Sequence, residues 1–143
     1  MRQYACVVYK LTLIFYTVSM KKYTIMFWIA TSLIFIMEGV IPAFTSQSDM
    51  AIQGVMNLGY PAYFSGLLAV FKVAGSLALI IPKVSPRIKE WAYAGFGIDF
   101  ICAFASIWIV MGFNVGLALP IVFMILLVIS YTSYHKMQKG KTQ

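Results

Sequence analysis

The sequence predicts an all-α integral membrane protein: a four-transmembrane-helix bundle with both termini in the cytoplasm (N-in/C-in) and a short extracytoplasmic amphipathic helix between helices 1 and 2. Three observations predict it: composition, four long apolar stretches, and the placement of lysine and arginine. The 143 residues are 62% hydrophobic and only 10% charged, with a mean hydropathy of +0.87. Soluble domains carry about 25% charged residues, so the composition indicates a membrane protein.

Four apolar stretches are long enough to cross about 30 Å of hydrocarbon. They run approximately over residues 23–44, 62–81, 91–111 and 115–134. None alternates with a period of two, so membrane-spanning strands are not expected. Residues 21–136 are therefore assigned to a single four-helix membrane domain.

The segments outside this domain are short. Met20 is followed by Lys21 and Lys22, a basic cluster that often opens a membrane protein. The apolar part of 1–20 is too short for a signal-peptide core and lacks a small-x-small cleavage site. We expect 1–20 to be either an extension upstream of the natural protein or a cytoplasmic helix continuous with the first span. Residues 137–143 are expected to form a basic cytoplasmic tail.

Lysine and arginine flank the apolar stretches on one side of the predicted bundle. They occur before the first stretch, between the second and third, and after the fourth: Lys21, Lys22, Lys83, Arg87, Lys89, Lys136, Lys139 and Lys141. The connections 45–61 and 112–114 contain neither residue type. The positive-inside rule then predicts cytoplasmic termini. Orientation in a bilayer explains the formal charge of +7 better than nucleic-acid binding does.

The connection 45–61 contains signals for a short helix. Ser46 followed three residues later by Asp49 resembles a helix-start pair. Gly59 and Pro61 are residues that end helices. We expect a helix lying on the outer end of the bundle; an ordered loop with a few buried side chains is the alternative.

Three ionisable residues interrupt separate apolar stretches: Glu38, Lys72 and Asp99. An ionised side chain near the bilayer centre costs at least ~2.5 kcal/mol. At ~1.5 Å per residue, Lys72 and Asp99 lie at similar depth on antiparallel neighbours and can pair, while the long lysine also reaches toward Glu38. Two carboxylates and one ammonium leave one excess negative charge, which favours a proton on one carboxylate. The three residues are candidates for ligand binding or proton exchange; a purely structural ion pair is the alternative.

Pro42 supports this assignment because it lies four residues after Glu38 and has no N–H. The carbonyl of Glu38 therefore loses its helical partner, which predicts a kink beside the carboxylate. Further supporting candidates are three aromatic residues near the predicted interfaces and one small polar residue of the third span: Tyr63, Trp91, Tyr93 and Ser106.

Common catalytic and metal-binding motifs are absent from the sequence. Cys6 and Cys102 lie in separate segments without metal-type spacing, and unpaired apolar cysteines are the simpler interpretation. His135 is the one histidine, so no common metal site is expected from a single chain. No phosphate loop or Ser–His–Asp set is recognisable.

Three strings resemble the DoxX-like family of small bacterial membrane proteins: NLGYPAYF at 57–64, FKVAG at 71–75 and KEWAYAGF at 89–96. The resemblance covers about residues 23–135 and implies four transmembrane helices in a bacterial inner membrane. The family name derives from a subunit of an archaeal thiosulfate:quinone oxidoreductase, which implies a link to quinone or sulfur redox chemistry. Many members carry Ser-His on the third helix, whereas Ile107 follows Ser106 here, so no role of that histidine carries over.

Three hypotheses follow for function. The first is an accessory subunit of a quinone-linked oxidoreductase that binds a quinone or small polar ligand near Glu38, Lys72 and Asp99. Its partners would be the lipid bilayer and either a catalytic oxidoreductase subunit or a second copy of the chain. The second is a small proton-coupled transporter, and the third is a structural membrane assembly partner. Whether the chain is itself an enzyme stays open.

Overall fold

The computed structural model describes residues 21–141, and its regular structure there is helical with no strand. The helices are α1 (Lys21–Thr45), α2 (Asp49–Asn57), α3 (Tyr63–Ile80), α4 (Pro86–Met111) and α5 (Ala118–Lys141), with a 3₁₀ turn at Val115–Leu117 before α5. Helices α1, α3, α4 and, with its preceding turn, α5 are long and apolar enough to cross a membrane. The predicted all-α class with four membrane-spanning helices is confirmed, and the orientation of the termini stays a prediction. The predictions for 1–20 and 142–143 lie outside the described residues.

The four long helices form a closed antiparallel bundle. Helix α3 packs against α1 and α4, and α4 packs against α5. Contacts between α1 and α5 close the bundle: the hydroxyls of Thr31 and Ser130 are 2.7 Å apart, and the rings of Phe27 and Tyr134 pack with centroids 5.9 Å apart.

Apolar side chains cover the outside of the bundle as well as its core. Ile34 and Leu79 are almost fully buried, but Phe44, Trp91 and Ile109 each expose more than four-fifths of their surface. A soluble monomer rarely shows such extensive apolar patches. In a bilayer, these side chains contact lipid tails.

Helix α1 changes its winding at the predicted kink. Residues Phe35–Val40 form a π-helical turn, and the Ile41 N–H bonds the Ile36 carbonyl five residues back. Pro42 follows directly. A proline removes one helical hydrogen bond and crowds the carbonyl four residues earlier, and widening into a π turn relieves that crowding. The turn carries Glu38 and Gly39 on its buried face.

Helix α2 is the short helix predicted between the first two spans, but its start differs from the prediction. Ser48 is the N-cap, and its hydroxyl accepts a hydrogen bond from Ala51 N at 3.3 Å. Ser46 instead ends α1, where its N–H bonds the Pro42 carbonyl. The predicted pairing of Ser46 with Asp49 was wrong because α1 continues to Thr45 and uses Ser46 for its own C-cap. Gly59, with φ of +89°, confirms the predicted stop signal.

The opposite end of the bundle carries the basic residues, and one of them is buried. Lys89 is 3% exposed, and its Nζ donates to the Leu79 carbonyl at 2.8 Å. That bond caps the C-terminus of α3, where cations are favoured.

Helix α4 starts at Pro86, earlier than predicted, because proline suits the first helical turn. Helix α5 continues to Lys141, so residues 137–141 are helical.

Candidate functional site

The structure brings the three intramembrane charges together. Lys72 Nζ donates to Glu38 Oε2 at 2.6 Å and lies 3.2 Å from Asp99 Oδ2. The predicted pairing of Lys72 with Asp99 is confirmed, and the bond to Glu38 is the shorter of the two contacts. The lysine thus joins α1, α3 and α4 at one point. We call Glu38, Lys72 and Asp99 the charged cluster.

The two carboxylates are held differently. Glu38 is buried and accepts a short charge-assisted hydrogen bond, the strong kind. Asp99 Oδ2 is close enough to Lys72 for an ion pair, yet this buried oxygen accepts no hydrogen bond from the described residues. Among the side chains described, those of residues 21–139, no second cation forms an ion pair with either carboxylate. The cluster therefore carries one excess negative charge when all three groups ionise, and Asp99 is its less satisfied member.

Small residues let the helices approach closely enough for these contacts. A Cβ added to Gly39 would clash with the Ser76 hydroxyl and lie 2.9 Å from the Ser76 Cβ. A Cβ added to Gly75 would lie 3.0 Å from the ring of Phe96. Glycine at these positions brings α1 and α4 close to α3 on both sides of Lys72. The π turn then directs Glu38 toward the lysine.

A groove between α3 and α4 reaches the cluster from the lipid-facing side. It has a volume of about 510 Å³, and Lys72 and Asp99 lie in its wall. The rest of its lining is apolar and aromatic apart from the Cys102 thiol. Phe71 and Trp91 line it and are 67% and 83% exposed, so the groove opens toward lipid. The side chains of Lys72 and Asp99 expose 19% and 18% of their surface, which leaves them accessible to a ligand.

Two smaller cavities approach the cluster from the α2 end. One, of about 160 Å³, is lined by Lys72 together with Pro42, Thr45, Ser46 and Ser65 among others. The other, of about 100 Å³, is lined by Asp99 together with Tyr60, Ser106 and residues of α2 among others. The charged cluster thus separates a lipid-facing groove from spaces below α2.

The structure places some of the supporting residues predicted from sequence beside the charged cluster and others away from it. Pro42 lines the 160 Å³ cavity, Trp91 lines the groove, and Ser106 lines the 100 Å³ cavity. Tyr63 is 74% exposed and lines none of these spaces. Tyr93 is buried among hydroxyls elsewhere in the bundle, where its OH lies 2.7 Å from Ser130 Oγ. The structure therefore places Tyr63 and Tyr93 away from the cluster.

Sequence reasoning missed several residues that surround the cluster. Phe64, Leu68 and Cys102 line both the groove and the 100 Å³ cavity. Helical spacing could have indicated two of them. Leu68 lies four residues before Lys72, and Cys102 lies three residues after Asp99, so each shares a helix face with a charged residue. Tyr60 lies outside the spanning helices, so periodicity gives no signal for it.

The cluster has the chemistry of a polar-ligand site rather than a metal centre. Over the described range 21–141, no three His, Cys, Asp or Glu side chains come together in a way that holds a metal ion. The ammonium offers hydrogen-bond donors to an oxygen or anion. The neighbouring carboxylate accepts a proton or donates one when protonated.

Comparison with known proteins adds one finding. The model of the DoxX-like family matches residues 26–130. This range contains the charged cluster and every residue that lines the groove and the two cavities below α2. Comparison with curated proteins and with solved structures gave no significant match.

Proposed function

The chain belongs to the DoxX-like family, and we propose that it is a quinone-binding membrane subunit that exchanges protons with its ligand at the charged cluster. The observation that carries this proposal is the α3–α4 groove. Its lining is almost entirely apolar, yet an ammonium and a carboxylate lie together in its wall. A ligand that enters from lipid and presents hydrogen-bonding oxygens fits that combination.

A quinone has the required shape and chemistry. Its head is a flat ring with two carbonyl oxygens, and its isoprenoid tail is soluble in lipid. The groove volume of about 510 Å³ falls within the range of about 300–1,000 Å³ for small-molecule sites. Trp91 and Phe96 supply aromatic faces for the ring, and such pairs favour offset or edge-to-face packing. The lipid-facing opening accommodates the tail.

The charged cluster supplies two functions to such a ligand. Lys72 donates a hydrogen bond to a carbonyl oxygen, and Glu38 positions the ammonium. Asp99 gives a proton to the same oxygen. Reduction of a quinone to a quinol consumes two electrons and two protons, one proton at each carbonyl oxygen. The electrons come from a redox-active partner subunit. Asp99 supplies the proton for the oxygen that Lys72 holds, and the partner subunit supplies the proton for the opposite oxygen.

The same proposal includes a place in the cell. We place the protein in a bacterial inner membrane with both termini in the cytoplasm. The support is the charge asymmetry, because α2 lies at the lysine-free end and Lys83, Arg87 and Lys139 lie at the other. This orientation puts the α2 end outside the cytoplasm.

A proton-coupled exporter of cations is the less supported alternative. Such a transporter needs a membrane carboxylate that is free to bind its substrate. Here Glu38 bonds the Lys72 ammonium at 2.6 Å, and that ammonium also repels a cationic ligand approaching Asp99.

A matched pair of variants tests the quinone proposal. Ala74 and Ala94 are both exposed, but Ala74 lines the α3–α4 groove and Ala94 lines a separate groove between α4 and α5. Ala74→Leu is expected to weaken binding of decylubiquinone to the purified protein at least about tenfold, or about 1.4 kcal/mol. Ala94→Leu is expected to bind as the wild type does. Equal affinities in the two variants, or no saturable binding by the wild type, would contradict the proposal.

A further inference from the structure

The cavity of about 100 Å³ below α2 adjoins the ligand groove and shares Asp99 with it. Val55 and Leu58 close it from the α2 side, and Asp99 and Ser106 contribute from α4. A water molecule takes about 30 Å³ in the liquid, so the cavity has room for about three. Asp99 lines both this cavity and the groove, so it has access to both spaces.

A pair of hydroxyls lies in the wall of this cavity. Tyr60 OH and Ser106 Oγ are 2.7 Å apart, and both residues line the space that contains Asp99. Ser106 lies seven residues after Asp99, which is about 10 Å along α4 at 1.5 Å per residue. Three waters hydrogen-bonded in a row at about 2.8 Å would bridge that distance. The hydroxyls thus stand between the α2 end of the bundle and the carboxylate.

The path from the other end of the bundle is closed by aromatic side chains. Phe96 and Phe100 flank Asp99 on α4 and are nearly fully buried. Their rings stack with centroids 5.8 Å apart, and Phe100 also stacks on Phe123 of α5. The buried Ser76 hydroxyl also lies on this side of Lys72, and it donates to the Val73 carbonyl of its own helix at 3.0 Å. The polar approach to Asp99 is from the α2 end.

We propose that the 100 Å³ cavity is the proton route to Asp99, with Tyr60 and Ser106 as its relay. Each hydroxyl releases the proton it holds as it accepts another, so one proton passes to Asp99 and neither hydroxyl stays ionised. The ionisable groups near Asp99 among the described residues are Lys72, 3.2 Å away, and Glu38 on the same ammonium. Tyr60 and Cys102 lie in the cavity wall. The inference rests on the proposed function only in the last step, where Asp99 passes the proton to a ligand in the groove. In the proposed orientation, the protons come from outside the cytoplasm.

Two tyrosines three residues apart give a matched test. Tyr60→Phe removes the relay hydroxyl but keeps the ring, which stacks on Phe64 with centroids 4.8 Å apart. Tyr63→Phe removes a hydroxyl from an exposed side chain outside the cavity. The readout is hydrogen–deuterium exchange of the protonated Asp99 carboxyl, followed by infrared spectroscopy in proteoliposomes and assigned with Asp99→Asn. Tyr60→Phe is expected to slow exchange about tenfold, which corresponds to about 1.4 kcal/mol of barrier, and Tyr63→Phe to leave it unchanged.

A second variant tests the cavity itself. Ala103 lines the cavity but not the groove, so Ala103→Leu is expected to slow exchange by displacing water. If the Asp99 carboxyl of Ala103→Leu exchanges at the wild-type rate, the proposed route is overturned. If that of Tyr60→Phe exchanges at the wild-type rate, the proposed relay is overturned. Decylubiquinone binding, measured on the same samples, is expected to stay at the wild-type level in Tyr60→Phe. Failure of the wild type to bind decylubiquinone would refute the proposed function, whereas the exchange rates decide the proton route independently.

Discussion

Replacement of Lys72 by methionine tests whether the charged cluster holds the bundle together. Methionine has a similar length and keeps the apolar contacts of the lysine stem, but it removes the ammonium. Glu38 and Asp99 would then lie inside the bundle with no paired cation, because no other basic side chain of residues 21–139 forms an ion pair with them. Leaving buried charges unpaired is strongly destabilising.

The magnitude follows from the two distances. At an effective dielectric constant of 20, contacts of 2.6 Å and 3.2 Å correspond to Coulomb energies of about 6 and about 5 kcal/mol. Desolvation of the three groups offsets much of this, so the expected net loss of unfolding free energy is about 3–5 kcal/mol. The shorter contact also predicts stronger coupling of Lys72 to Glu38 than to Asp99. A double-mutant cycle with Glu38→Gln and one with Asp99→Asn measure the two couplings separately.

Unfolding in mixed micelles by a denaturing detergent, followed by circular dichroism, measures these free energies. Lys83→Met is the control, because Lys83 is exposed in the turn between α3 and α4, and it is expected to change stability by less than about 0.5 kcal/mol. The triple variant Lys72→Met, Glu38→Gln, Asp99→Asn removes all three charges and is expected to recover most of the loss. A stability of Lys72→Met equal to that of the control, or no recovery in the triple variant, would refute the reasoning.

Three further predictions concern packing and hydrogen bonds, and the same unfolding assay checks them. Gly39→Ala is expected to lose about 1–3 kcal/mol of unfolding free energy through overpacking against Ser76. Ser76→Gly in the same chain should restore most of it, and no restoration would argue against the close approach. Ser130→Ala loses hydrogen bonds to hydroxyls of α1 and α4, at an expected cost of about 1–2 kcal/mol; a neutral result would contradict that contribution. Lys89→Met leaves the Leu79 carbonyl without its donor and is expected to cost about 1–3 kcal/mol, whereas Lys89→Arg, which keeps a cation, should cost less.

Hydropathy and helix geometry predicted how deep the charged residues lie in the membrane. Hydropathy gives the spans, and a rise of ~1.5 Å per residue places Lys72 and Asp99 at similar depth on neighbouring antiparallel helices. The same count placed Glu38 closer to the outer surface than Lys72. The long lysine side chain reaches over this difference in depth, and its bond to Glu38 is the shorter of its two contacts. The kink at Pro42 was predicted from its missing N–H, whereas the π turn that relieves the crowding by the proline ring was not predicted.

Features that depend on side-chain packing could not be predicted from the sequence. Lys89 has the same sequence context as an exposed flanking lysine, yet its ammonium folds inward onto the end of α3. Tyr60 lies in a connection, and its hydroxyl contact with Ser106 joins residues 46 positions apart. The groove and cavities are volumes left between helices, so only the three-dimensional packing locates them.

Photoaffinity labelling with an azidoquinone, mapped by peptide mass spectrometry, tests the central claim most directly. Quinone binding in the α3–α4 groove predicts labels on groove-lining residues such as Phe71 and Trp91. Excess decylubiquinone should suppress these labels, and Ala74→Leu should weaken them. Labels confined to the grooves between α4 and α5, near Pro120 or Tyr131, or labels that excess decylubiquinone does not suppress, would contradict it.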